Sequence, residues 1–323
     1  MTGVNKTAFF KPGELIYKDL PIPTPTDDSI IIKNHLAGIN YADTYQLNGG
    51  TNLTGSDILG LESAGEVVNV GKNITQYKVG DRVFNMAGST YTNYSTIKSN
   101  FFSRVIKLPD YISYEQAIGL GLQALTAYSL VYKDYTVNKG DVFLVQAAAG
   151  GVGLILTQLL VREGGKVIGA VSSQEKVDLV KTYGAEYAIN YSTENIAERV
   201  KEITNGKGVQ VVYDSVGNAT FDDSLLSLAN FGLLIQYGFA SGLIEKVIPR
   251  FFMQKSLRIH GAVATAHSKE GDGFNEWMLQ LFEDVHSGAL KPFLSKEYSF
   301  DQILEAFEDM KGRKTVGKLA FRF

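Results

Sequence analysis

Residues 145–154 read Val145-Gln146-Ala147-Ala148-Ala149-Gly150-Gly151-Val152-Gly153-Leu154 and join an apolar run, Val142–Val145, to a helical run that starts at Val152. The small residues at the join follow A-x-G-x-x-G, at Ala148, Gly150 and Gly153. A strand that turns into a helix through such residues leaves the first helical N–H groups and the positive dipole end open to an anion. The glycines let the backbone come close to it. A lone glycine pattern is weak, but here the strand before it, the helix after it and the next strand, Lys166–Val171, are all legible. That is the context a dinucleotide turn needs.

The surrounding pattern agrees. Strands are predicted at Val142–Val145, Lys166–Val171, 187–189, 209–213 and 233–237, with a last strand at 257–260. Helices fit 152–162, 174–183 and 195–204, with Gly184 where a helix C′ residue belongs. Short strands alternating with helices build a parallel, doubly wound α/β sheet.

Upstream, residues 1–110 read as short strands and turns, with apolar segments at 29–33, 64–68 and 82–84, which predicts a partly open β-barrel. Ser113 and Gln116 form a capping box that opens a helix. Gly119 and Gly121 should interrupt it, leaving a second helix over 123–132. Near the end, Ser299 and Gln302 make another capping box, Ile303, Phe307 and Met310 recur at helical spacing, and a strand fits 317–321. The tail is read as rejoining the first domain. The expected organisation is 1–123, an inserted nucleotide domain over 124–261, and a return over 262–323.

Composition narrows the chemistry. The 323 residues suffice for two domains, and no apolar run approaches the length of a membrane span. The absence of cysteine removes disulfides, thiolate catalysis and thiolate metal sites. The four histidines form no i, i+4 pair and no H-E-x-x-H, so no metal is expected. Net charge is −3 with no dense basic run, so electrostatics do not point to nucleic acid. The first residues hold no apolar signal segment, and the expectation is a cytoplasmic protein.

An NAD site usually ends its second strand with an acid that binds the ribose 2′-hydroxyl. Here that strand ends Gly169-Ala170-Val171-Ser172-Ser173, and Lys176 follows one turn on. Two hydroxyls and a lysine suit a 2′-phosphate, which a carboxylate would repel, so NADPH is the expected cofactor.

Six segments together carry a resemblance that covers nearly the whole chain. They are Gly38-Ile39-Asn40-Tyr41-Ala42-Asp43-Thr44-Tyr45, Gly60-Leu61-Glu62-Ser63-Ala64-Gly65, Val79-Gly80-Asp81-Arg82-Val83, the 147–153 turn, Tyr213-Asp214-Ser215-Val216-Gly217 and Lys314-Thr315-Val316-Gly317-Lys318. The chain resembles the zinc-independent quinone oxidoreductase (ζ-crystallin-like) branch of the medium-chain dehydrogenase/reductase superfamily. The resemblance implies a GroES-like β-barrel domain, a Rossmann domain and an active-site cleft between them. Zinc-dependent cousins carry a cysteine and then Gly-His-Glu, where this chain has Ile39-Asn40-Tyr41 and Gly60-Leu61-Glu62. The implied activity is therefore metal-free hydride transfer from NADPH to a quinone or an α,β-unsaturated carbonyl.

By the same resemblance Asn40 and Tyr45 are catalytic and face the substrate, and Tyr41 and Thr126 lie by the cofactor. Gly150, Gly151 and Val152 hold the pyrophosphate. Ser172, Ser173 and Lys176 meet the 2′-phosphate, with Tyr191 beside the adenosine. Ser215 and Val216 line the adenosine end, Tyr237, Gly238, Phe239 and Ala240 wrap the nicotinamide riboside, and Arg313 touches the cofactor from the tail. A homodimer through the edge strand 257–260 is implied as well. The departures are Gly50-Thr51-Asn52, where relatives often have an aromatic and a proline, and His260-Gly261-Ala262, where relatives often have Thr-Arg-Pro. Alternative readings are an enoyl-thioester reductase, and an NADPH-binding protein that is non-catalytic or binds RNA.

Overall fold

The computed structural model describes residues 3–50, 52, 55–268 and 273–323. The chain divides into two compact units, 1–122 with 271–323, and 123–270. The first unit opens with a hairpin, β1 (Val4–Lys11) and β2 (Glu14–Pro21), which turns at Gly13 with φ +80°. Its strands then run β3 (Ser29–Ile39), β4 (Ser63–Val70), β5 (Arg82–Asn85), β6 (Tyr94–Lys98) and β7 (Val105–Lys107). Helix α1 (Tyr41–Leu47) follows β3 directly. The sequence predicts only 29–33 for β3. The strand continues to Ile39 because it is buried on both faces past Lys33, apart from His35, which erases the polar alternation that marks a half-exposed strand.

Helix α2 (Tyr114–Tyr132) starts from the predicted box. Gln116 N–H donates to Ser113 Oγ at 3.1 Å and Ser113 N–H to Gln116 Oε1 at 2.9 Å. Of the two glycines expected to interrupt it, only Gly121 does, at φ 48°, ψ −153°. Gly119 stays helical and packs on Pro292. The break is held from outside the helix, because Leu122 N–H turns away to donate to Glu62 Oε2 at 2.6 Å.

The second unit runs β8 (Val142–Val145), α3 (Gly151–Arg162), β9 (Lys166–Val171), α4 (Gln174–Thr182), β10 (Tyr187–Asn190), α5 (Ile196–Ile203), β11 (Val209–Asp214), α6 (Phe221–Ser227), β12 (Leu228–Gln236), α7 (Pro249–Lys255), β13 (Arg258–Gly261) and α8 (Ala264–Ser268). Its sheet is parallel throughout, in the order β10-β9-β8-β11-β12-β13. This is the doubly wound order, with its switch point between β8 and β11. Helix ends are set as the residues dictate. Asn195 Oδ1 accepts from Glu198 N–H at 2.9 Å, and Gly184 takes φ +105° after α4. Strand β12 begins at Leu228 rather than the expected 233. Its first residues are irregular, with Phe231 at φ +63° and a register shift against β11, so they carry no strand period. Its last helix, α8, is tied back to the unit, His267 Nε2 lying 2.9 Å from Asp134 Oδ1.

The first unit resumes with α9 (Gly273–His286), β14 (Leu294–Ser299), α10 (Ile303–Lys311) and β15 (Lys318–Arg322). Its sheet order is β14-β15-β3-β4-β5-β7, with β6 also on β3. Strand β3 thus shares one edge between β6, at Ser29 to Lys33, and β15, at Leu36 to Ile39. The late elements complete the first unit's core, where Phe307 and Phe321 pack with Ala8, Ile39 and Leu47. Each such aromatic contributes about 1.5–3 kcal/mol by burial.

Candidate active site

In the second unit the glycine turn is pinned by its neighbours. Gln146 N–H donates to Tyr213 C=O at 2.9 Å and Ala148 N–H to Ala170 C=O at 3.1 Å, so the turn sits at the carboxyl ends of β9 and β11. Gly150 N–H closes it on Ala147 C=O at 2.9 Å, and Ala147 itself is left-handed at φ +50°. Gly150 is the N-cap of α3, and Gly151 and Val152 are its first two residues. They present the helix-start N–H groups that have no partner within the helix. A Cβ on Gly153 would stand 2.6 Å from Ala148 O, so only glycine fits there. The Gln123 carboxamide lies over Gly151, and its buried Oε1 has no hydrogen-bond partner among the described residues. An open anion seat with an orphaned acceptor beside it fits a dinucleotide, which brings phosphates and donor hydroxyls together.

Asp214, fully buried at the end of β11, shapes the other side of the switch point. Its Oδ1 accepts from Val216 N–H at 2.7 Å and Gly217 N–H at 3.0 Å, and its Oδ2 from Thr220 and Ser224 hydroxyls at 2.7 and 2.8 Å. The loop after β12 is laced to this one. Tyr237 N–H donates to Asp214 C=O at 2.9 Å, Ala240 N–H to Ser215 C=O at 3.1 Å and Ser241 N–H to Val216 C=O at 2.8 Å. Ser215, Val216, Tyr237, Gly238, Phe239 and Ala240 therefore form one continuous rim.

At the end of β9, Ser173 caps α4, accepting from Lys176 N–H at 3.4 Å. Ser192 Oγ donates to Ser172 C=O at 2.8 Å and Tyr191 N–H to Val171 C=O at 3.0 Å. This brings Ser172, Ser173, Lys176 and Tyr191 into one group, with Glu175 exposed in the same turn. Thr126 lies in this unit too, on the second half of α2.

In the first unit, Asn40 is the N-cap of α1 and is 4% exposed. Its Nδ2 donates to Glu62 Oε1 at 2.9 Å, and its Oδ1 accepts from Lys318 Nζ at 2.9 Å. Lys318 also pairs with Glu62 directly, both side chains fully buried. Asn40 N–H donates to Asp43 Oδ2 at 2.8 Å, the reciprocal half of a capping box, and Tyr91 O–H donates to the same oxygen at 2.7 Å. Burial pushes the Asp43 carboxyl up to about 7. Tyr41 and Tyr45 are half-buried on α1, ring edge to ring face, with centroids 5.4 Å apart. Arg313 is exposed after α10 and takes the left-handed conformation, φ +58°, its N–H on Met310 C=O. Of the divergent loop, Gly50 and Asn52 are described, with Asn52 Oδ1 accepting from Gly55 N–H at 2.9 Å. Thr51 lies outside the described residues.

Two family models match the chain, the alcohol dehydrogenase GroES-like domain over residues 26–141 and the zinc-binding dehydrogenase over 151–283. A quinone oxidoreductase of Pseudomonas aeruginosa is 35% identical over 96% of this chain and 96% of its own. The chain belongs to the quinone oxidoreductase family. Another relative, a 2-haloacrylate reductase from a Burkholderia species, is 32% identical over 95% of each chain. Among solved structures, an Escherichia coli quinone oxidoreductase complexed with NADPH matches with a TM-score of 0.91 at 33% identity, over 99% of this chain and 100% of that one.

One of the two matching families is the zinc-binding dehydrogenases, and the residues of this quinone oxidoreductase family member decide whether zinc fits. This chain has no cysteine, and it has Leu61 where zinc-dependent cousins place histidine. Both Glu62 oxygens are taken, one by Asn40 and Lys318 and the other by Leu122 N–H. The site does not fit that metal. Among the described residues no group of three His, Asp or Glu side chains is placed to hold one. Sequence reasoning missed Glu62, Lys318, Asp214 and Gln123 as shapers of these sites. For Lys318 there was a signal, a lone charge opening the apolar strand Lys318-Leu319-Ala320-Phe321.

Proposed function

We propose that this chain is an NADPH-dependent reductase that passes hydride to quinones or α,β-unsaturated carbonyl compounds without a catalytic metal. The observation that carries this reading is the end of β9, where Ser172, Ser173 and Lys176 gather and no acid closes the strand. Its relatives, a quinone oxidoreductase and a 2-haloacrylate reductase, support the acceptor class. When bound, NADPH supplies the hydride, and one proton from water or a side chain completes the two-electron reduction.

The chain's own residues do the rest. The α3 start and the rim from Ser215 to Ala240 bind and orient the cofactor. Asn40 Nδ2–H donates to the acceptor oxygen as charge develops on it. Tyr45 offers a second donor, and Tyr41 and Arg313 serve cofactor grip. NADPH oxidation against an ortho-quinone, a para-quinone, a simple enone and a crotonyl thioester tests the reading, with NADH as control. Turnover of quinone or enone that prefers NADPH supports it, and selective turnover of the thioester overturns it.

A homodimer joined at β13 and a cytoplasmic location belong to the same reading. Strand β13 is the outermost strand of its sheet, all four residues are exposed, and exposed Ile259, Met253 and Val263 stand in or beside it. Sedimentation at micromolar concentration should give twice the 35.4 kDa chain mass. The cofactor supports a location inside the cell, where reduced nicotinamide is regenerated. No helix among the described residues is long and apolar enough to cross a membrane.

A further inference from the structure

We propose that Glu62 and Lys318 are positioning residues that fix the carboxamide of Asn40, and so the donor the acceptor oxygen meets. The inference rests on the role given to Asn40 above. An asparagine amide has two ends of nearly equal shape and opposite function, and its neighbours decide which end faces where. Lys318 Nζ only donates, so the atom 2.9 Å from it must be Oδ1. An ionised Glu62 only accepts, so the atom 2.9 Å from its Oε1 must be Nδ2. The two charges therefore set the amide from both ends. One Nδ2 hydrogen goes to Glu62, and the other is the one the proposed reaction uses.

Glu62 is itself immobilised. Its Oε2 holds Leu122 N–H at 2.6 Å. A Cβ on Gly38 would stand 2.4 Å from its Oε1, and one on Gly121 2.2 Å from its Oε2. These glycines leave the carboxylate just enough room and nowhere to swing. The third titratable group facing the network, Asp43, holds Asn40 by its backbone N–H and leaves the amide to the pair.

Stability alone gives no reason for such a pair. Two buried charges cost desolvation, and a well-packed apolar pair of like volume often does as well or better. What apolar side chains cannot do is tell one end of an amide from the other.

The test compares Asn40→Ala, the double variant Glu62→Gln/Lys318→Met, and the triple variant combining them. Melting temperature, NADPH affinity by fluorescence, and quinone kcat and KM are measured for each. In the double variant NADPH affinity should stay within about twofold while kcat falls roughly tenfold or more, the loss expected when an oxyanion donor is misaimed. KM for quinone should move little. The triple variant should be no slower than Asn40→Ala, because the three residues act as one unit. If Asn40→Ala loses rate and the double variant does not, the positioning role is wrong and the Asn40 reading stands. If Asn40→Ala keeps full kcat, both fall. Additive losses in the triple variant also overturn the proposal. Should the double variant not fold, Glu62→Asp keeps the charge but shortens the reach, and an unchanged kcat there refutes positioning.

Discussion

Tyr91 donates its hydroxyl to Asp43 Oδ2 at 2.7 Å in the core of the first unit, while Asp43 Oδ1 is buried with no hydrogen-bond partner among the described residues. Burial raises the Asp43 carboxyl to about 7, against the Tyr91 and Asn40 hydrogen bonds and the Lys318 charge, which lower it. In the unfolded chain an Asp titrates near 4. The native state therefore binds more protons than the unfolded state between about pH 4 and 7, so stability falls as pH rises through that window. The full effect is at most about 4 kcal/mol. Asp43→Asn keeps an acceptor for Tyr91 and puts a neutral amide in the same space. Thermal melts at pH 5 and pH 8 should differ less in the variant than in the wild type. An equal difference in both would assign the slope to another group.

Lys176 should discriminate between the two nicotinamide cofactors. It lies in the first turn of α4, whose N-cap Ser173 accepts its backbone N–H at 3.4 Å. Lys176→Ala should cost about 1.5–3 kcal/mol of NADPH affinity, the worth of a hydrogen bond to a charged group. NADH affinity should barely change. Fluorescence titration with each nucleotide checks this, and equal losses for both would remove the 2′-phosphate role.

The nucleotide unit was largely legible for a physical reason. Strands such as Phe143-Leu144-Val145 are buried on both faces, so they read as uninterrupted apolar runs, and Gly150 and Gly153 mark the turn after them. The capping boxes at Ser113 and Ser299 were legible because their partners are three residues away. Asn40, Glu62 and Lys318 belong together through contacts 22 to 278 residues apart, and no local period records that. The bend at Gly121 was half legible. Glycine permits it, but Glu62, distant in sequence, decides that Gly121 and not Gly119 takes it. Helix α1 was hidden because its reciprocal cap is Asn40 with Asp43, followed by tyrosines and a threonine of poor helix propensity.

Gly153 tests the turn itself. An added Cβ would meet Ala148 O at 2.6 Å and Ala147 O at 2.7 Å, both backbone atoms that cannot rotate away. Gly153→Ala must push α3 off the turn, at roughly 1–3 kcal/mol of stability. NADPH affinity should fall with it, since the same N–H groups are the proposed seat of the pyrophosphate. A melting temperature and an NADPH affinity equal to those of the wild type would show that the turn has room to spare.

The buried pair of Glu62 and Lys318 should show the asymmetry of charges held away from water. Lys318→Met alone leaves a fully buried carboxylate with no cation, and Glu62→Gln alone leaves a fully buried ammonium with no anion. Each should cost about 3–5 kcal/mol. Making both changes removes the stranded charge and leaves two neutral side chains of similar volume, so the double variant should recover most of that loss. Urea melts of the four proteins close the cycle, with a coupling energy of about 2 kcal/mol or more expected. Single losses that simply add would mean that the two charges are screened from each other by water the packing would have to admit. Both side chains are fully buried, and Gly38 and Gly121 pack closely against the Glu62 carboxylate.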